Sequence, residues 1–167
     1  MGSDRVSDAI AEHGADILAS EGMLRCAGLP QHGSTSVRDH CVAVAACALR
    51  LARAWRLRVD ERVLVRGALL HDYFLYDWHD RASSRPRHAT MHPRYAAENA
   101  ERDFGADEDV RRVVLSHMFP LPPTRPPRSA EAWLVCLADK GCTVAEVVRD
   151  VPARLARAAR PEGGVSR

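Results

Sequence analysis

The sequence is almost without lysine. One of its 24 Lys and Arg residues is lysine, Lys140, and the other 23 (24 − 1) are arginine. Against 22 Asp and Glu the formal net charge is only +2, which argues against bulk attraction to a polyanion and leaves no dedicated nucleic-acid surface. In so arginine-rich a chain, any single arginine reads first as part of a solvated face. The five cysteines, Cys26, Cys41, Cys47, Cys136 and Cys142, form an odd set without a C-x-x-C pair. Several fall inside apolar helical runs, so they read as reduced, buried thiols. No apolar run approaches a membrane span, the amino terminus has no apolar signal core, and Val6 breaks the myristoylation pattern hinted at by Met1-Gly2. The expectation is a cytoplasmic protein with no membrane partner. The sequence also lacks an internal repeat, a phosphate-binding Gly-rich loop and a Ser-His-Asp arrangement.

What is present is helical periodicity. The 167 residues suit one domain, and apolar spacing predicts helices at about residues 5–21, 35–57, 60–75, 93–104, 107–118, 129–148 and 151–160. The fold class is therefore all-α, a single helical bundle over residues 1–160 with a tail over 161–167. Pro93 suits a first helical turn, which puts His92 at or near an N-cap. Two loops stand out. The first, residues 77–91, carries Arg81, Arg85, Arg87, His79 and His88; the second, "FPLPPTRPP", holds five of the ten prolines and should be stiff and extended.

The apolar stripes contain ionisable groups. His40 shares a stripe with Val37, Val44, Cys47 and Leu51, and His71 and Asp72 follow Leu64, Val65, Ala68 and Leu69 at helical offsets. His117 stacks below Val110, Val113 and Val114, and Asp139 stands over Ala132, Val135 and Cys136. Taken singly, an inward histidine reads as a hydrogen-bonded core residue and an inward aspartate as one half of an ion pair. Together they need a shared partner, because each unpaired buried polar group costs roughly 1–7 kcal/mol and a whole domain is stable by only about 5–15 kcal/mol. A divalent metal serves, since neutral imidazole and carboxylate are ligands it accepts and a bundle converges them from several helices.

The ordered set "DHCVAVA", "LLHDY", "MHPRYAAENA", "VVLSHM" and "CLADK" resembles the HD superfamily of metal-dependent phosphohydrolases, over about residues 32–143. The resemblance implies that His40, His71, Asp72 and Asp139 hold one metal and that Asp72 bridges to a second bound by His92 and His117. The ligand chemistry admits Mn, Fe, Co, Ni, Zn or Mg. Relatives place a lysine a few residues after the doublet; here Phe74, Leu75 and Tyr76 stand in that region.

The reaction so implied is hydrolysis of a phosphoester in a nucleotide or other small phosphorylated metabolite, with Asp72 catalytic through the metals. Lys140, next to Asp139, invites a transition-state role, set against a chance or surface placement. Arg85, Arg87 and His88 offer phosphate contacts, since guanidinium forks match phosphate oxygens, against the alternative of a solvated loop. Tyr73, Phe74, Tyr76 and Trp78 suit either core packing or base stacking, and His32 suits a capping segment more than the site. Two other readings stay open: a two-iron oxygenase with the same ligand order, and a non-catalytic domain stapled by metal or sensing a ligand. Oligomeric state is not set by the sequence.

Overall fold

The computed structural model describes residues 2–80, 82 and 87–158, with side chains over 5–80, 82 and 87–152. The tail expected over 161–167, and with it Arg81 and Arg85, lies outside the described residues. Seven helices and one short hairpin make up the described chain: α1 (Gly2–Leu18), α2 (Glu21–Cys26), β1 (Pro30–His32), β2 (Thr35–Ser36), α3 (Val37–Ala54), α4 (Glu61–Leu70), α5 (His88–Phe104), α6 (Glu108–Ser116) and α7 (Ala130–Ala158). The class is all-α, as expected.

Local chemistry sets the starts. Ser20, Ser36, Asp60 and Asp107 are N-caps whose side chains accept from the amides of Met23, Asp39, Val63 and Val110, each satisfying a donor the helix leaves unpaired. Asp107 also pairs with Arg62, tying the start of α6 to α4. At the other end of α5, Gly105 closes the helix at φ 58°, a left-handed conformation glycine adopts without strain.

Helix α3 lies at the centre, against α4 and α7; α4 also meets α1 and α6, and α5 packs on α6. The core runs through Val44, Ala48 and Leu49 of α3, Leu64, Ala68 and Leu69 of α4, Val110 and Val114 of α6 and Leu134 and Val135 of α7. Gly67 sets the α4–α6 spacing, because a Cβ there would stand 2.5 Å from Val113 Cγ1 and 2.8 Å from its Cβ. Four residues onward on each helix come His71 and His117.

Several expected boundaries move. Helix α5 begins at His88 rather than at Pro93, so His92 is inside the helix and not its N-cap. The added turn is possible because a proline removes only its own N–H, and His92 Nδ1 donates to the His88 carbonyl at 3.0 Å. Helix α7 continues through Pro152 where two helices were expected, there being no glycine at 149–151 to end it. The proline-rich segment folds into turns instead of extending: Leu121 N–H donates to Met118 and Arg125 N–H to Pro122. Among the described residues, no helix is long and apolar enough to cross a membrane.

Candidate metal centre

Five helices supply the candidate ligands. His40 sits in the first turn of α3, His71 is the C-cap of α4 with Asp72 next, His92 lies in α5, His117 is the C-cap of α6, and Asp139 is in α7. All six are buried. They meet because the ends of α4 and α6 stop beside one another, the His71 and His117 ring centroids lying 4.8 Å apart.

Each imidazole is held by the same device. His71 Nδ1–H donates to the Ala68 carbonyl at 2.7 Å, His117 Nδ1–H to Val114 at 2.7 Å and His92 Nδ1–H to His88 at 3.0 Å. His40 Nδ1 meets the Glu146 carboxylate at 3.0 Å. With Nδ1 engaged, Nε2 is the ring atom left to face the centre in all four, the atom such a ring offers to a metal when neutral.

The Nε2 atoms gather around Asp72, whose two oxygens face different ways. Oδ1 lies 3.2 Å from His92 Nε2 and 3.5 Å from His117 Nε2, which are 3.0 Å from each other. Oδ2 lies 3.4 Å from His71 Nε2 and accepts from Gln31 Nε2 at 2.5 Å. On the far side, Asp139 Oδ1 is 3.1 Å from His40 Nε2 and 3.8 Å from His71 Nε2. Two groups thus have ligand atoms mutually within 4.8 Å, His40-His71-Asp72 and Asp72-His92-His117, with Asp72 common to both.

This donor set fits a divalent cation. His71 Nε2 and Asp72 Oδ1 are buried with no hydrogen-bond partner, an arrangement too costly to leave uncompensated. Two donors each about 2.1 Å from a tetrahedral ion lie about 3.4 Å apart, close to the 3.0–3.5 Å edges of the Asp72-His92-His117 group.

The electrostatics agree. Burial raises the Asp72 carboxyl, but His71 and His92 more than offset it and hold it well below the ordinary range. Burial likewise opposes ionisation of Asp139, yet the His40 hydrogen bond and nearby His71 bring it down to about 2. Burial lowers His40 while Asp139 and Glu146 lift it to about 9, whereas burial with His71 drives His117 down to about 3. Two anionic carboxylates therefore face His40 and His71, which they draw toward the protonated form against burial, while His117 stays a neutral ring.

The centre opens into a cavity of about 430 Å³ that includes Asp72, His92, His117, Asp139 and Lys140 in its lining. Lys140 Nζ donates to the carbonyls of His117 at 3.0 Å and Cys136 at 3.3 Å. His88 enters the lining with Nδ1 at 2.7 Å from Tyr76 Oη, and burial beside His92 lowers it to about 4, so it presents a neutral ring. Arg87 is exposed at the α5 N-cap, at φ 57°, and takes no part in the lining. Tyr73, Phe74 and Tyr76 are core residues, while Trp78 lines the cavity. His32 does not cap a helix, a task left to Ser36; the hairpin carries it into the lining, edge-on to His40 at 5.6 Å.

Two partners of the ligands escaped sequence reasoning. Glu146 follows Asp139 by two helical turns on one face of α7, a spacing that offered a signal. Gln31 lies on a strand of three residues, too short for any alternation to show.

No curated protein and no solved structure matches the chain. A family model, the HD domain, matches residues 37–141, which take in all six clustered His and Asp residues but neither Gln31 nor Glu146. Spanning well over half of the sequence, that match places the chain in the HD domain family, whose members are generally metal-dependent phosphohydrolases.

Proposed function

We propose that the chain hydrolyses a phosphoester in a nucleotide or other small phosphorylated metabolite at a centre of two divalent metals. The observation that carries this reading is the division of Asp72, one oxygen toward His71 and the other toward His92 and His117. His40, His71, Asp72 and Asp139 would hold one ion, and Asp72, His92 and His117 the other. Bound there, divalent ions supply a water acidified from a pKa of roughly 15.7 toward about 7 and neutralise phosphate oxygens.

The chain's own residues do the rest. Gln31 fixes the carboxylate of Asp72, and Glu146 fixes His40. Lys140 puts the only lysine ammonium of the chain in the cavity wall beside Asp139, where an anionic substrate meets it. No side-chain nucleophile is required.

The test is elemental analysis of the purified protein with a panel of nucleotides and other phosphoesters, each with and without chelator and with and without oxygen. Phosphate release that chelation stops, with about two metals per chain, is the expected result. Turnover that depends on oxygen would favour the two-iron chemistry, and bound metal without turnover a structural or sensing role.

A further inference from the structure

The cavity is divided by chemistry. Its charged groups, Asp72, Asp139 and Lys140, lie at the metal centre or one residue from it. Elsewhere the lining is largely carbon. The Trp78 indole lies parallel to the His88 ring, planes 2° apart and centroids at 5.0 Å. The turn after α6 adds Met118, Pro120 and Leu121, and α7 adds Val144. Leu121 and Val144 are 61% and 63% exposed, so neither supports the core. Among the described residues the lining has one lysine and no arginine.

A multiply charged substrate body would lose water against these side chains and find few partners in return, the polar groups of the lining beyond the charged ones being Gln31, Thr143, the histidine rings and the Trp78 indole. An apolar body would bury carbon on carbon. The cavity also falls within the size range of small-molecule sites, roughly 300–1,000 Å³.

We infer that the substrate is a phosphomonoester of an apolar alcohol, alkyl or aryl, which enters phosphate first and lays its organic body against Trp78, Met118, Leu121 and Val144. This rests on the phosphohydrolase reading above and narrows it. In the reaction a water oxygen bonds to phosphorus, the bond from phosphorus to the alcohol oxygen breaks, and the alcohol departs with one proton of that water. The other proton stays with the released phosphate.

The experiment measures kcat/KM of the full chain, supplied with Mn²⁺, on methyl, butyl and benzyl phosphate, a nucleoside monophosphate and a nucleoside triphosphate. Butyl and benzyl phosphate should exceed methyl phosphate by at least about 10-fold, since a single methylene in an apolar pocket is worth about 10- to 200-fold, and both should exceed the nucleotides. Leu121→Ser and Val144→Ser should each shrink the butyl-to-methyl ratio several-fold, mainly through KM, with unchanged melting temperatures reporting intact folding. A flat alkyl series, or a nucleotide as the best substrate, overturns the inference and leaves the phosphohydrolase reading standing. Failure of every ester to turn over overturns both.

Discussion

His40 and Glu146 are joined across the α3–α7 interface, with both carboxylate oxygens of Glu146 within 3.1 Å of His40 Nδ1. The contact leaves Nε2 to face Asp139 and makes Glu146 part of the centre without making it a ligand. Removing such a partner typically costs 10- to 100-fold in metal affinity or activity. Glu146→Ala should therefore weaken metal binding by about 10- to 100-fold, as read by competition with a chromogenic chelator, while circular dichroism stays helical. Unchanged affinity would reduce Glu146 to a core acid.

Asp72 is the side chain common to both groups of ligands. Asp72→Ala should abolish turnover and strip bound metal from a protein that remains folded. His92→Ala and His117→Ala should each lower metal content from about two per chain toward one, with large loss of turnover, since in the proposed arrangement each would hold only the second ion. Elemental analysis decides: one metal in the wild type, retained by both histidine variants, would make the centre mononuclear.

The close approach of α4 to α6 has its own test. Gly67→Ala places a methyl group against the Val113 side chain. Val113 is fully buried and cannot rotate its Cβ away, so the helices must part. Overpacking of this kind costs about 1–3 kcal/mol, and at about 2–4 °C per kcal/mol for a chain this long the melting temperature should fall by about 2–12 °C. A melting temperature equal to wild type would show that the helices yield freely.

Asp107 caps α6, and the Val110 amide and Arg62 hold its carboxyl below the ordinary value of 3.8. A carboxyl lowered by folding stabilises above its unfolded pKa and loses that contribution as pH falls through its folded pKa. Asp107→Ala should cost about 0.5–2 kcal/mol near neutral pH. Urea titrations should find that gap steady from pH 7 to pH 5 and narrowing once pH drops below about 4. A gap that persists into acid would assign the loss to packing.

Much of the architecture was legible because burial leaves a period in the sequence. The stripe Val37-His40-Val44 and the run Leu64-Val65-Ala68-Leu69 showed both where helices lie and that ionisable groups share their inner faces. The ends were less legible. Proline suggested a start at residue 93 and a break near residue 150, yet a proline removes one hydrogen bond and surrounding packing carries the helix past it, as at Pro93 and Pro152. The hairpin that brings Gln31 and His32 to the centre is only a few residues long. Arg87 draws attention as a phosphate contact by its charge, and only the backbone shows that it stands at a helix cap next to a lining residue, His88, and not in the lining itself.

The carbonyls that hold His71, His117 and His92 belong to the same helices as the rings themselves, three or four residues back. Each ring is thus aimed by the winding of its own turn. An ion that draws the rings together would resist unwinding of those turns, and fraying of the turns would loosen the ion, the two effects being equal by linkage. Slowed amide exchange in the closing turns of α4 and α6 would consequently register metal occupancy without reference to any substrate.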